Sequence, residues 1–276
     1  MQFEGDTIEQ VFDSYCQYIV DTQPPDFARN FINGWRRDPE PALAEAMVFA
    51  WARSFHLNPT VNEQHWRGGI DFRCVPDVGA PFLLEVTVIK TVTAEQHCGL
   101  PNDPQILGGW FRLITRNLNV QIKRKWRQLQ RSEAIPRIVA IVCFHFLSGL
   151  LLGREAAQSL LLSDVAAHIA ENGIEQRNTD LANAVFFRLD NDPLGLPRIT
   201  TKNREVSAIL LFPVLCDRSA PIGIIHPDAL HPFDLASLHL IPLLFVRNWP
   251  LQNDRITLQW TYAVDPAVYY HHRVRG

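Results

Sequence analysis

The chain is short of the features that would place it in several broad classes. Its five cysteines, Cys16, Cys74, Cys98, Cys143 and Cys216, include no CxxC pair, and an odd number closes no disulfide framework. A reducing cytoplasm is the expected setting. The opening "MQFEGDTIEQ" has neither the basic nor the apolar region of a signal peptide. The longest apolar run, "IVAIVCFHFLSGLLLG", is shorter than a bilayer span and carries His145, so no membrane role is expected. Global positive charge is also missing: the net charge is −3, and any surface for nucleic acid has to be local. No GxGxxG, Walker-type GxxxxGK[ST] or GxSxG motif occurs, which removes the commonest phosphate-loop and serine-hydrolase readings. Repeats, low-complexity tracts and clear linkers are absent, so no secure domain boundary is expected.

What remains is a chain of 276 residues, 47% hydrophobic and 20% charged, long enough to bury a sizeable core as one large domain. Helical patterns cover about 6–21, 25–35 and 40–56, separated by the proline-rich joints "TQPPD" and "RRDPEP". Two strand-like runs follow at 69–76 and 81–90, then a long helix from about Trp110 to Arg131. The strand "RIVAIVCF" comes next, with helical material around 151–172. The last third is β-rich, with "VFFRL", "EVSAILLF", "PIGIIHP" and "RITLQWTYAV" as candidate strands. Helices bracketing a mixed sheet predict an α/β class.

The segment "IDFRCVPDVGAPFLLEVTVIK" carries the first chemical signal. "FLLEVTVI" is apolar on both alternating faces, as in a central strand covered on both sides. Glu85 therefore points into a covered layer, where a carboxylate requires a proton, a cation or a metal ion. In "GGIDFRCV", Asp71 and Arg73 face one way while Ile70 and Phe72 face the other. The turn-like "PDVGAP" makes the two runs a β-hairpin, which would bring Asp71 and Glu85 close enough to share a ligand. Two hard oxygen donors favour Mg²⁺ or Mn²⁺ over zinc.

The long helix carries the second signal. "RLITRNLNVQIKRKWRQLQRS" holds seven arginines and lysines and no acid. Phe111, Ile114, Leu118, Ile122 and Leu129 form its apolar stripe, and Lys125 projects into that stripe with Gln121 at its border. Snorkelling of Lys125 is the bland alternative. Arg116, Lys123, Arg124 and Arg127 form a local basic surface suited to phosphates. On the helix "EPALAEAMVFAWARSF", Glu45 sits at the edge of the face made by Ala44, Val48, Trp51, Ala52 and Phe55. Taken alone it reads as a solvated glutamate. His226 and His231 in "HPDALHP" fit a turn-rich structural segment better than a zinc site with Cys216.

A helix glutamate, then "GGIDF", then "FLLEVT", then a basic helix with "NVQIKRKWRQL" resembles the PD-(D/E)XK nuclease superfamily, the restriction-endonuclease-like fold. The resemblance implies an αβββαβ core, with Glu45, Asp71 and Glu85 as ligands of Mg²⁺ or Mn²⁺ and Gln121 and Lys125 as polar residues of the following helix. It implies a single domain: an N-terminal helical segment at 1–39, the nuclease-like core at 40–145, and a continuation of the sheet at 146–276. It covers roughly residues 40–145, and one departure stands out. The usual lysine two residues after the glutamate is Thr87, which can orient water but carries no charge. Lys90 lies on the opposite face by alternation, so Lys125 is the expected substitute cation. The implied activity is metal-dependent hydrolysis of phosphodiester bonds, DNA favoured over RNA, in bacterial defence or DNA processing. A homo-oligomer or protein partner is compatible with it. The alternative is an inactive relative that binds nucleic acid or protein, and a third is a structural subunit whose carboxylates pair with Arg73 or Lys125.

Overall fold

The computed structural model describes residues 7–62, 69–97, 120, 134–145, 148, 152–162, 167–170, 173–177, 181, 184–214, 221–251 and 255–261. Three helices open the chain: α1 Ile8–Thr22, α2 Pro25–Arg37 and α3 Pro39–Ser54. Their boundaries follow from side-chain and proline chemistry. Thr7 caps α1 with a reciprocal box, in which the Gln10 amide donates to Thr7 Oγ1 (3.3 Å) and the Thr7 amide to Gln10 Oε1 (2.6 Å). Pro25 and Pro39 sit at the first position of α2 and α3, where a missing N–H costs nothing.

Strands β1 Pro59–Val61, β2 Phe72–Cys74, β3 Phe82–Ile89 and β4 Arg137–Cys143 follow, with the short helix α4 Thr91–His97 after β3. Downstream come α5 Arg154–Leu162, β5 Ala167–Ala170, β6 Gly173–Arg177, β7 Phe187–Asn191, β8 Pro197–Thr201, β9 Ala208–Pro213, β10 Ile222–Ile225, β11 Leu243–Val246 and β12 Arg255–Trp260. Ten of these strands form one mixed sheet in the order β1-β2-β3-β4-β9-β10-β11-β12-β6-β5, while β7 and β8 form a separate hairpin. The pairs β1–β2 and β2–β3 are antiparallel, and β3, β4 and β9 are parallel.

Two apolar layers cover the central strands. On one face, Phe72, Leu84, Val86, Ile138, Ala140, Leu210 and Phe212 pack against α1, α2 and α3. On the other, Leu83, Ile89, Val139, Ile141, Cys143, Ile209 and Leu211 pack with α5, Ala94 of α4 and the base of the β7–β8 hairpin. The strict odd-even division is what a sheet buried on both sides requires, and it explains the unbroken apolar runs in β3, β4 and β9. The β2–β3 link is pinned by Gly79: its φ is +98°, and a Cβ there would stand 2.7 Å from the Ser237 backbone nitrogen.

Several expectations need revision. Strand β1 carries no period-two signal and is absent from the sequence reading, as are β8 and β11. The helical material expected through residue 172 ends at Leu162, and Ala167–Ala170 is a strand paired antiparallel with Gly173–Arg177. The physical reason is in the sequence: Gly173, which opens the second strand opposite Ala170, is a poor helix former. The expected helix over 110–131 lies outside the described residues except for Val120, which is helical and exposed. No helix among the described residues is long and apolar enough to cross a membrane.

Candidate functional site

Asp71 stands just before β2, and Glu85 lies within β3. The ladder pairs Cys74 with Phe82, Arg73 with Leu83 and Phe72 with Leu84. The ladder ends there: Ile70 packs in the layer of Leu83 and Val139 whereas Phe72 packs in that of Leu84, so the shared face expected for Ile70 and Phe72 is not found and the alternation breaks at Asp71. At Asp71 the chain bends away from the ladder, and the Asp71 carboxylate takes over: Oδ2 accepts the Val86 amide at 2.6 Å. A side chain thus completes the pairing of a buried strand where the neighbouring backbone has left it. Glu85 is fully buried, whereas Asp71 is half-buried and faces the way out. Thr87, two residues along β3, lies on the Glu85 face and is buried.

The register also places two arginines beside this pair. Leu83 stands between Arg73 on β2 and Arg137 on β4. A row reading Arg73, Leu83, Arg137 therefore runs next to a row reading Glu85, Val139, all on one face. Arg137 is 4% exposed, which is exceptional for a guanidinium. Burial pulls its pKa below the ordinary value, and the Glu205 carboxylate opposes that shift. Its backbone is anchored by Ser207, whose Oγ accepts the Arg137 amide at 2.9 Å. The sequence reading missed Arg137, although an arginine heading the otherwise apolar "RIVAIVC" was the available signal.

Other expected residues lie elsewhere. Glu45 sits on α3, which packs against the Leu84 face, so it is separated by the sheet from the Glu85 side chain. Among the described residues no group of three or more His, Cys, Asp or Glu side chains is gathered as a metal site would need. The expected three-carboxylate set is thus reduced to the Asp71 and Glu85 pair. Lys90 points to the α3 side, where its ammonium bonds the Asp38 carboxylate at the start of that helix. Gln121 and Lys125, with Arg116, Lys123, Arg124 and Arg127, lie outside the described residues.

The remaining titratable groups have structural roles. His226 is buried, its Nδ1 accepting the Asp228 amide and its Nε2 donating to the Lys202 carbonyl, both at 2.9 Å. With both ring nitrogens bonded to backbone, it is no metal ligand. Burial pushes the thiols of Cys16 (to about 11) and Cys74 above their ordinary value, so neither is an activated nucleophile. His145, just past β4, is 1% exposed, and burial lowers its pKa against the opposing charge of Glu95. Comparison with protein-family models, with curated proteins and with solved structures gave no match to this chain.

Proposed function

We propose that the chain is a metal-dependent nuclease with a restriction-endonuclease-like core, hydrolysing phosphodiester bonds with DNA as the favoured substrate. The observation that carries this reading is the Asp71 carboxylate bonded to the Val86 amide, next in the chain to the fully buried Glu85. The order α3-β1-β2-β3, with β4 parallel to β3, supports the core assignment. Asp71, bonded to the residue that follows Glu85, and the fully buried Glu85 are the two acids that could share a cation here. The donor set fits a hard ion: Asp71 and Glu85 would hold Mg²⁺ or Mn²⁺. Such an ion supplies Lewis acidity at the scissile phosphate and lowers the pKa of an attacking water.

The chain's own residues supply the rest. The Val86 amide fixes one oxygen of Asp71, which orients the half-buried carboxylate at the mouth of the site. Thr87 orients water, Arg116, Lys123, Arg124 and Arg127 hold the phosphate backbone, and Gln121 and Lys125 are further polar groups of the site. A cytoplasmic setting suits the unactivated thiols of Cys16 and Cys74.

A second reading, an inactive relative that binds nucleic acid or protein, is favoured by one observation. Glu85 is wholly buried and Arg137, also buried, lies diagonally across β3 and β4, so charge can be balanced without a metal. One comparison separates the two. Purified protein is incubated with supercoiled plasmid and with single-stranded DNA in Mg²⁺, Mn²⁺ or EDTA, and thermal unfolding is followed in the same buffers. The nuclease reading expects cleavage in either metal, none in EDTA, and a metal-dependent rise in Tm that Glu85→Gln abolishes. At a metal concentration a hundredfold above Kd the gain is about 2.7 kcal/mol. Absence of cleavage in both metals establishes the inactive-relative reading.

A further inference from the structure

The outer side of α2 carries a groove that the carboxylate site does not use. It is lined by Val20 near the end of α1 and by Pro25, Ala28, Arg29, Ile32 and Arg36 of α2, and its volume is about 440 Å³. On α2 these positions recur every three or four residues, so the groove follows the helix for about 16 Å. Another side of α2 is already committed: Phe31 and Trp35 lie against Phe12 of α1, with ring centres 6.2 and 4.7 Å away. In the groove, apolar surface is left uncovered, and Val20 is 53% exposed. The charge there has one sign. Arg29 and Arg36 stand seven residues apart, about 10.5 Å along the axis, and no acid among the described residues lines the groove. Arg29 meets Asp26 at 3.4 Å, but both side chains are mostly exposed and such a contact is weak. Arg36 has no ion-pair partner among the described residues.

We infer that this groove docks an acidic amphipathic helix of a partner protein, with apolar side chains on Val20, Ala28 and Ile32 and carboxylates on Arg29 and Arg36. Two features select that occupant. The apolar floor is covered by leucine-like side chains, which a nucleic-acid backbone does not carry. Two guanidinium groups about two turns apart match carboxylates seven residues apart on a helix lying alongside, and they set its register more than its affinity. A second copy supplies no such helix in α1: its exposed side offers Asp13, Gln17 and Asp21, but Val20 is its one exposed large apolar side chain. The groove belongs to the layer that covers the Leu84 side of the sheet, away from Glu85, so the inference goes beyond the nuclease reading and does not depend on it.

The test uses the full chain and a labelled synthetic helix about four turns long. The peptide carries leucines at i, i+4 and i+7 on one stripe, with glutamates flanking it seven residues apart; a second peptide has lysines in place of the glutamates. Binding is followed by fluorescence anisotropy for the wild type, Arg36→Glu, Arg36→Gln and Ile32→Ser, with Tm measured for each. The wild type should bind the glutamate peptide saturably, more weakly as salt rises, and leave the lysine peptide unbound. Arg36→Glu should weaken the glutamate peptide about tenfold and take up the lysine peptide instead, since reversal adds repulsion to the lost pair. Such an exchange of partner is not produced by unfolding. If Arg36→Glu lowers Tm, Arg36→Gln carries the comparison, with a smaller loss and no gain of the lysine peptide. Ile32→Ser should weaken the glutamate peptide at low and high salt alike, because it removes apolar cover. The inference is overturned if the wild type does not bind the glutamate peptide, or if Arg36→Gln and Ile32→Ser bind it as the wild type does. It is also overturned if a short DNA duplex displaces the peptide and binds Ile32→Ser undiminished, which would make the groove a phosphate surface. A wild-type dimer on size-exclusion chromatography that Ile32→Ser dissolves and the peptide leaves intact overturns it as well, in favour of a second copy.

Discussion

His226 commits both ring nitrogens to the backbone, with the proton on Nε2 facing the Lys202 carbonyl and the bare Nδ1 facing the Asp228 amide. A protonated ring would set N–H against N–H at Asp228, and burial against the Phe186 ring, 4.3 Å away, removes the water that would stabilise the charge. Its pKa falls from 6.5 to about 4, burial being the main cause. Below pH 6.5 the unfolded chain therefore takes up a proton that the folded chain refuses. This contribution is complete above pH 6.5 and drains away as the pH falls toward 4, by about 3 kcal/mol in all. Urea unfolding at pH 7.5 and pH 4.5 should show the drop in the wild type and a smaller one in His226→Gln; equal drops would refute the assignment. The sequence signal here was ambiguous, since a histidine between prolines serves equally as a ligand or as a clamp. Residues inside a long strand were readable from alternation: Glu85 and Lys90 sit on the faces that period two assigns, whereas Asp71 lies where the alternation breaks between Ile70 and Phe72. Glu45 was not, because helix periodicity tells which side of α3 is buried but not which face of the sheet it is buried against.

Helix α3 is the element that closes the sheet on the Leu84 side. Pro39 starts it, and Ala42, Ala44, Ala46, Met47, Val48, Phe49, Trp51 and Ala52 are all buried along it. The small alanines let the helix approach β3, and Trp51 fills the space toward β9, meeting Phe212 edge-on at 5.0 Å and Phe55 at 5.1 Å. Truncating a fully buried tryptophan leaves a cavity, so Trp51→Ala should cost about 3–5 kcal/mol in urea unfolding. The indole nitrogen has no hydrogen-bond partner among the described residues, so Trp51→Phe should cost less than about 1.5 kcal/mol. Near-equal losses in the two variants would show that shape alone does not govern this contact. The three opening helices and the strands β3, β4 and β9 were legible because prolines mark the helix joints and long apolar runs mark doubly covered strands. Three-residue β1 and β2, four-residue β11 and the β5–β6 hairpin were harder: a strand that short holds barely one period of any pattern, and its pairing is decided by distant neighbours.

At the scale of the whole molecule, the sheet does not respect sequence order. β4 lies between β3, its predecessor by fewer than sixty residues, and β9, which arrives only after α5 and two hairpins. Every residue of β4 is buried, and β9 supplies half of that cover: Ile209 and Leu211 on the Glu85 face, Leu210 and Phe212 on the α3 face. The edge would otherwise be bare. Ser207 accepts the Arg137 amide through its side chain, and its own amide donates to the Arg137 carbonyl at 2.7 Å, so the row beside the carboxylate pair is tied to the distant segment as well. The stretch 40–145 is therefore not expected to fold by itself. Cutting the chain after His145 would turn β4 into an exposed strand apolar on both faces, with a row of unpaired backbone groups that invites edge-to-edge association. A fragment of residues 1–145 should be aggregated or lack a cooperative thermal transition by circular dichroism and size-exclusion chromatography, while the full chain unfolds as one unit. A monomeric fragment with a sharp transition would overturn this, and would show that β3 and its helices suffice to bury Glu85 without the second half of the sheet.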